Sequence, residues 1–438
     1  MTAVAQDNTQ DNTQQSTQQS SQESIYQGAL PYNFQSQPTG PSSPSSSQAA
    51  TPYMGTSAVA GSLFNLGDYL TQGPALAAWG PFRFYPQLSY SFTYGNGLQA
   101  QPGLNSTTAI NTFGADLLVR IGDRWTVDYS PTESIYSNPN FRNTFNQSAA
   151  LKGVTSYRDW TFNFSQSFVD STYPLVETGT QVEQVAYVTA FNAAWQMNGQ
   201  LSLQLGLNQN FRFAEQLNNL HEWTTSDWLN YQFDRQVGLA VGVTGGYDDL
   251  SSGSDMPFEQ GMVRLNFVPG PKLVVNVSGG VEDRQFIHPS APALVSPIFN
   301  GSLTYQVLTG TALSLSGSRS VVPSFYGNEI NVVTTVTAGI RQQITEHTYL
   351  AVNASYTVEP YTSVVAGPLP QYYIGVPPTT YLVQTRSDNR TTFRASLTTT
   401  IRAHLTASIF YLYSENDSSQ FNYSYSGNQG GLQLNYRF

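Results

Sequence analysis

The stretch Gly431-Leu432-Gln433-Leu434-Asn435-Tyr436-Arg437-Phe438 decides the reading of this chain. Side chains of a strand alternate between its two faces. Leu432, Leu434, Tyr436 and Phe438 therefore share one face, and Gln433, Asn435 and Arg437 share the other. Termini of soluble domains usually fray in water, so a strand that alternates through a closing aromatic needs an apolar partner for its greasy face.

Composition narrows what that partner is. Charged residues make up 11% of the 438 residues, against about 25% in ordinary globular domains. Aromatics reach 13%. A globule with so little charge and so many rings would have difficulty keeping its exterior wet. Mean hydropathy is nevertheless −0.28, and no apolar run approaches the roughly 18 residues that a membrane helix needs. A barrel whose strands alternate between lipid and an aqueous interior resolves that conflict. The net charge of −10 and the lack of a basic, aromatic-interleaved patch argue against nucleic acid. With no cysteine there is no disulfide framework or thiol chemistry.

Residues 1–50 form a low-complexity segment rich in Gln, Ser, Asn and Thr, too poor in apolar anchors to offset its ordering entropy, and read as disordered. Ala3-Val4-Ala5 before Gln6 has the look of the tail of a signal-peptide cleavage site. Residues 51–81 read as a lead-in or a short plug. From residue 82 to 438 alternation takes over, as in Leu88, Tyr90, Phe92 and Tyr94, or Phe113, Ala115, Leu117, Val119 and Ile121. Eight short turns, among them Gly122-Asp123, Gly153 to Tyr157, Asn198-Gly199 and Thr309-Gly310, alternate with nine longer polar connections. The latter lie near 96–106, 135–141, 169–181, 214–226, 248–258, 283–296, 319–329, 360–380 and 414–430. The expectation is an all-β, antiparallel up-and-down transmembrane barrel of about 18 strands, with 16 as the alternative count. Phe141 to Leu151 alternates poorly, and strand parity slips between Tyr425 and Leu432.

An Arg or Lys on a lipid face costs roughly 2–4 kcal/mol at mid-bilayer, so charge should lie inside. None of the apolar faces traced in the sequence carries one. The candidate pore-lining set is Asp116, Arg120, Arg124, Asp128, Arg212, Arg264, Arg341, Arg390, Arg394 and Arg437. These charges either tune solute selectivity or brace the inner wall, the pairing of Asp116 and Asp128 with Arg120 and Arg124 being the bracing version. Aromatics expected in two interfacial girdles are Trp125, Trp195, Phe233, Tyr349 and Tyr436 on one side. Tyr94, Tyr129, Tyr247, Tyr356 and Tyr413 occupy the other. Sugar-stacking platforms are the competing reading of those rings.

Other chemistry has little support. No Gly-x-Ser-x-Gly elbow, His-Glu-x-x-His pair or phosphate-binding loop is present, and no cofactor is expected. His221 and His288 fall in expected loops, and His347 and His404 beside turns. Asp248, Asp249, Asp255, Glu259 and Glu282-Asp283 read as solvated loop charge or as calcium or lipid-headgroup ligands without dedicated spacing. The segment Glu359 to Tyr381, with Tyr361, Tyr372 and Tyr373, is the expected constriction or lid.

In its alternation, loop asymmetry and terminal Leu432-x-Leu434-x-Tyr436-x-Phe438 pattern, the stretch 82–438 resembles a porin-type bacterial outer-membrane barrel. More narrowly, it is similar in style to β-barrel porins associated with exopolysaccharide gene clusters. The resemblance implies a C-terminal strand recognised by barrel-assembly machinery, an outer-membrane lipid environment and a periplasmic amino segment. It also implies passive passage of small hydrophilic solutes or, alternatively, of polysaccharide. A plugged barrel that anchors the envelope is a third reading.

Overall fold

A computed structural model describes residues 75–97, 107–287, 290–367, 379–402 and 404–438. Its strands run in chain order as β1 Ala77–Trp79, β2 Phe82–Gly95, β3 Thr108–Ile121, β4 Trp125–Tyr136, β5 Thr144–Tyr157 and β6 Trp160–Pro174. They continue as β7 Gln181–Gln196, β8 Leu201–Ala214, β9 Leu220–Gln232, β10 Val237–Leu250, β11 Met256–Gly270, β12 Leu273–Ile287 and β13 Ser290–Leu308. The last are β14 Thr311–Pro323, β15 Glu329–Thr345, β16 Thr348–Gly367, β17 Thr379–Arg402, β18 Leu405–Ser418 and β19 Tyr425–Arg437. Each of β2 to β19 pairs antiparallel with its sequence neighbour, and β19 pairs with β2 from Arg437↔Gln87 to Gln429↔Gly95. The result is a closed up-and-down barrel of 18 strands. Closure pairs every strand on both sides, which removes the edges an open sheet would expose.

Both termini of the barrel lie at one end, called here the terminal end. The short β1 docks there: it pairs with Phe82 to Phe84 on the same edge of β2 that β19 occupies above Gln87. Pro86 receives the Phe438 amide and Phe84 the Leu76 amide, so the first and last strands meet end to end.

Alternation sorts the two faces as expected. Leu88, Tyr94, Phe113, Leu117, Val241, Val243, Val277, Leu315, Ile409 and Leu434 stand exposed on the outside, whereas Gln87, Ser91, Thr93, Thr112, Asn208, Gln204 and Gln433 are buried inside. Phe141 to Leu151 yields a full strand from Thr144, paired on both sides. The following turn sits at Arg158-Asp159 rather than Gly153–Tyr157, because Gly153 to Tyr157 remain laddered to Trp160 through Phe164. The parity slip near the end is a loop containing the 3-10 turn Phe421–Tyr423, after which β19 begins.

Connections at the far end, the loop end, are shorter than the sequence suggests. Strands continue through much of 169–181, 214–226, 248–258, 283–296, 319–329, 360–380 and 414–430. Polar composition disguised them as loops, yet each added strand residue gains backbone hydrogen bonds. Residues 1–74 and 98–106, with the expectations placed on them, lie outside the described residues. The same is true of His288, Tyr372 and Tyr373.

Candidate functional site

The inner wall carries a repeated local construction. Gly246 is paired with Phe258, and a Cβ on that glycine would overlap the Phe258 ring. Gly242 is paired with Trp228 in the same way. Lacking side chains, the glycines let each ring lie flat along the wall. An arginine then covers the ring: Arg284 stands 4.4 Å from the Phe258 centroid, and Arg264 stands 3.8 Å from that of Trp228. Elsewhere Arg386 lies 3.8 Å over Tyr361 and 3.9 Å over Tyr423, and Arg341 lies 4.1 Å over Tyr349. A guanidinium over an aromatic face is attracted by the ring quadrupole, the more so when desolvated.

Toward the loop end the arginines also meet carboxylates. Arg284 pairs with Asp248 and, at 2.8 Å, with Glu282. Arg386 pairs with Asp388 at 3.3 Å, and Arg390 with Glu359 at 3.5 Å. Glu222 accepts from the Asn210 amide, and Glu359 from that of Asn331. All of these residues are buried in the lumen. Buried ion pairs do little for net stability, but removing one partner costs several kcal/mol because the other charge is stranded.

Above this charged layer a folded-in tongue crosses the lumen. On β14 to β16, Leu315, Val336, Ile340 and Tyr356 face outward. By strand alternation Val321, Ile330, Val332 and Val364 belong to that same outer face. Yet they are buried against Leu220, Leu250, Met256 and Phe286, which face inward from β9 to β12. An outer face can touch an inner wall of its own barrel only if the loop-end parts of β14, β15 and β16 bend into the barrel. Consistent with that, β13 and β17 come into contact although three strands separate them in the sheet.

The tip of the tongue, Ser324 to Asn328, reaches the wall formed by β6 to β8. Phe325 packs with Leu175, Val182 and Ala214, and the Arg212 guanidinium lies 3.9 Å over its ring. Glu177, in the loop between β6 and β7, accepts hydrogen bonds from the Ser324 hydroxyl and, at 2.9 Å, from the Phe325 amide. Its own carbonyl accepts from Arg386 at 3.2 Å. Burial pushes the Glu177 carboxyl up to about 7. The Ser324 hydrogen bond opposes that rise, Glu359 adds to it, and Arg212 and the Phe325 amide oppose it. Asn218 and Asn328 tie the tip to the neighbouring loops, Asn218 donating to Ser252 at 2.8 Å and Ser254 donating to Asn328 at 3.3 Å.

The charges singled out in the sequence divide into groups. Arg212, Arg264 and Arg390 are buried inside, and Asp116, Arg120, Asp128, Arg341, Arg394 and Arg437 have inward positions on their strands. Arg124 instead sits in the β3–β4 turn and donates to Thr155. The expected Asp–Arg bracing is replaced by Ser130, whose hydroxyl reaches Asp116 at 2.8 Å and Asp128 at 3.3 Å, while Arg120 lies over Tyr85.

Among the girdle aromatics, Tyr94, Trp125, Trp195, Phe233, Tyr247 and Tyr436 are exposed on the outer face near strand ends; Tyr413, on the same face, donates to Glu415. Tyr349 is a correction: it shares the inner face with Asn353 and Thr357 and stacks on Arg341. Tyr129 and Tyr356 face outward but stand well inside their strands, because β4 and β16 run on to Tyr136 and Gly367. Leu432, Leu434, Tyr436 and Phe438 all stand on the outer face.

Several expected loop charges are strand residues. Asp248 and Glu282 belong to the inner charged layer, and Glu259 and Asp283 are register partners on the outside. Asp227, in the middle of β9 opposite Leu205 and Val243, is an outward charge. The sequence reading missed it by ending a loop one residue earlier. His221 packs at the rim with Phe211, Phe213 and Trp223, 3.4 Å from Asp249. Of the expected lid, Glu359 to Gly367 is the end of β16, inside the tongue. Trp228 and Phe258 were not legible as interior groups, since aromatics on a barrel strand read by default as lipid-facing, and Phe325 fell in an expected loop.

No protein-family model and no curated protein matches this chain. Solved structures resemble it in fold. The siderophore receptor PirA from Pseudomonas aeruginosa is 10% identical with a TM-score of 0.43, over 81% of this chain and 80% of that one. OpdK from Pseudomonas aeruginosa, solved with vanillate, is 12% identical with a TM-score of 0.42, over 81% of this chain and 98% of that one. OccK11 (OpdR) from the same organism is 11% identical with a TM-score of 0.40, over 81% and 96%.

Proposed function

We propose that this chain is an outer-membrane channel for small hydrophilic solutes, closed at its loop end by the β14–β16 tongue. One observation carries the reading: a hydrogen-bonded ring of 18 strands puts aliphatic and aromatic side chains outside and amides, hydroxyls and ion pairs inside. Backbone groups in hydrocarbon must all be bonded, and a closed ring achieves that. On this reading the terminal end is periplasmic and the loop end external, as short turns and longer loops are arranged in bacterial barrels. Residues before 75 would then lie in the periplasm, and β19 would carry the assembly signal.

The tongue makes the channel a gated one. Passage of a polysaccharide would require the tongue to leave the lumen altogether. The closed loop end also favours a second reading, a non-conducting barrel that anchors the envelope. Planar-bilayer recordings of refolded protein separate the two. Small, rare openings that become large and sustained when Ser324–Asn328 is replaced by a short Gly-Ser turn support the channel. Silence from both proteins, each correctly folded, leaves the scaffold.

A further inference from the structure

At mid-height the outer face of β6 to β9 departs from the apolar pattern. On that face Gln166 follows Trp160, Phe162 and Phe164 up β6, and Asp227 follows Phe233, Tyr231 and Leu229 up β9. Both polar groups therefore stand at one level above the terminal end, with β7 and β8 between them. Between them at that level lie the register partners Phe191 and Leu207, 42% and 54% exposed and so open to a neighbour. Further round the ring, on β10, β11 and β12, the same level carries Val243, Val263 and Val277, which suit hydrocarbon.

The two polar groups differ in what they offer. The Gln166 side-chain oxygen already accepts from the Thr189 hydroxyl at 2.6 Å, which leaves its amide to donate. That amide reaches only the Ser167 carbonyl, at 3.4 Å, and has a second N–H. The Asp227 carboxylate, an acceptor only, makes no hydrogen bond or ion pair among the described residues.

We propose that this face seats a second copy of the chain, in a two-fold dimer whose axis runs parallel to the barrels. An axis placed between β7 and β8 brings β6 of one copy opposite β9 of the other at equal height. Gln166 then donates to the partner's Asp227, the reverse bond forms by symmetry, and Phe191 meets the partner's Leu207. A two-fold contact needs a patch complementary to itself; a donor and an acceptor equally far from its centre make one. Acyl chains have no donor for the carboxylate, and a charge left facing hydrocarbon is costly. A second copy relieves the cost that Asp227 imposes on a lone barrel. The dimer goes beyond the channel reading: it needs a membrane-spanning barrel but not conduction.

The chain has no cysteine, so introduced ones report proximity cleanly. The full chain is refolded into lipid vesicles and treated with a short bifunctional thiol reagent. Leu207→Cys, beside the axis, should give linked dimers on denaturing gels at dilutions where Leu397→Cys, on the far side of the ring, gives none. Added to Leu207→Cys, Gln166→Asp sets carboxylates face to face and should cut the linked fraction at least about tenfold. Adding Asp227→Gln as well exchanges donor and acceptor between the two strands and should restore linking. Heat-shifted gel mobility establishes that each variant is folded. If Gln166→Asp does not fold, Asp227→Leu takes its place, with the same expected loss. Equal linking at both positions, none at position 207, or linking indifferent to these variants overturns the proposal. Linked dimers that never conduct would keep the interface while sinking the channel; conduction by a chain that stays single would do the reverse.

Discussion

Asp227 shows how a single residue can run against the general pattern. Its neighbours across the strands, Leu205 and Val243, are what a lipid face should carry, yet it points the same way. Carboxylates in this setting cost less than the roughly 2–4 kcal/mol of a mid-bilayer Arg or Lys, so the barrel tolerates the charge at a measurable cost. Asp227→Leu is expected to raise stability by up to about 2 kcal/mol, read from urea unfolding in lipid vesicles; an unchanged midpoint would place Asp227 outside the hydrocarbon. What was legible residue by residue was parity. Gln87, Ser91, Asp116 and Arg212 fall inside because two-residue alternation leaves no choice. What was not legible was which aromatics break ranks. Trp228 and Phe258 go inside because glycines on the next strand make room for them, and that pairing depends on register rather than on local sequence.

In the proposed channel the tongue is the gate, and burial raises the carboxyl that holds its tip. Glu177 has a carboxyl raised to about 7 while buried, against about 4.5 when solvated. The closed state therefore binds the proton more tightly than an open one. Protonation favours closure: the latch holds fully below the solvated value and weakens as pH rises through about 7. An offset of this size corresponds to on the order of 3 kcal/mol. Open probability should rise between neutral and alkaline pH in bilayer recordings. Glu177→Gln, which stays uncharged and can still accept from Ser324 and Phe325, should flatten that dependence and stay closed. A variant that opens with pH as the wild type does would exonerate Glu177. The sequence hinted at part of it: of the expected lid, 359–367 lies in the tongue and 368–378 falls outside the described residues, whereas 319–329, which holds the tip, looked like an ordinary polar loop. Only the burial of Val321, Ile330, Val332 and Val364, four residues with outward parity, betrays the bend, and burial across a lumen leaves no local mark.

At the scale of the whole molecule, the strand count and the closing pair were readable, because alternating strands of even number with both ends on one side can only close β19 onto β2. That closure is also a vulnerability. Removing Leu432 to Phe438 would unpair the edges of β18 and β2 over Leu405 to Ile409 and Gln87 to Phe92. Each unmet backbone group in hydrocarbon costs several kcal/mol. The truncated chain should show no heat-shifted band on gels after refolding into lipid; a normal band would mean that another strand pair can seal the ring.

The grip between Glu177 and Ser324-Phe325 joins walls that are nearly opposite in ring order. It is therefore a crossbeam as well as a bolt: it holds the cylinder to one diameter along that axis. Removing the shared acceptor with Glu177→Ala should let the two walls relax apart. Spin labels on β7 and β15 would then report a longer and broader distance between them, and an unaltered distribution would show that the walls keep their spacing without it.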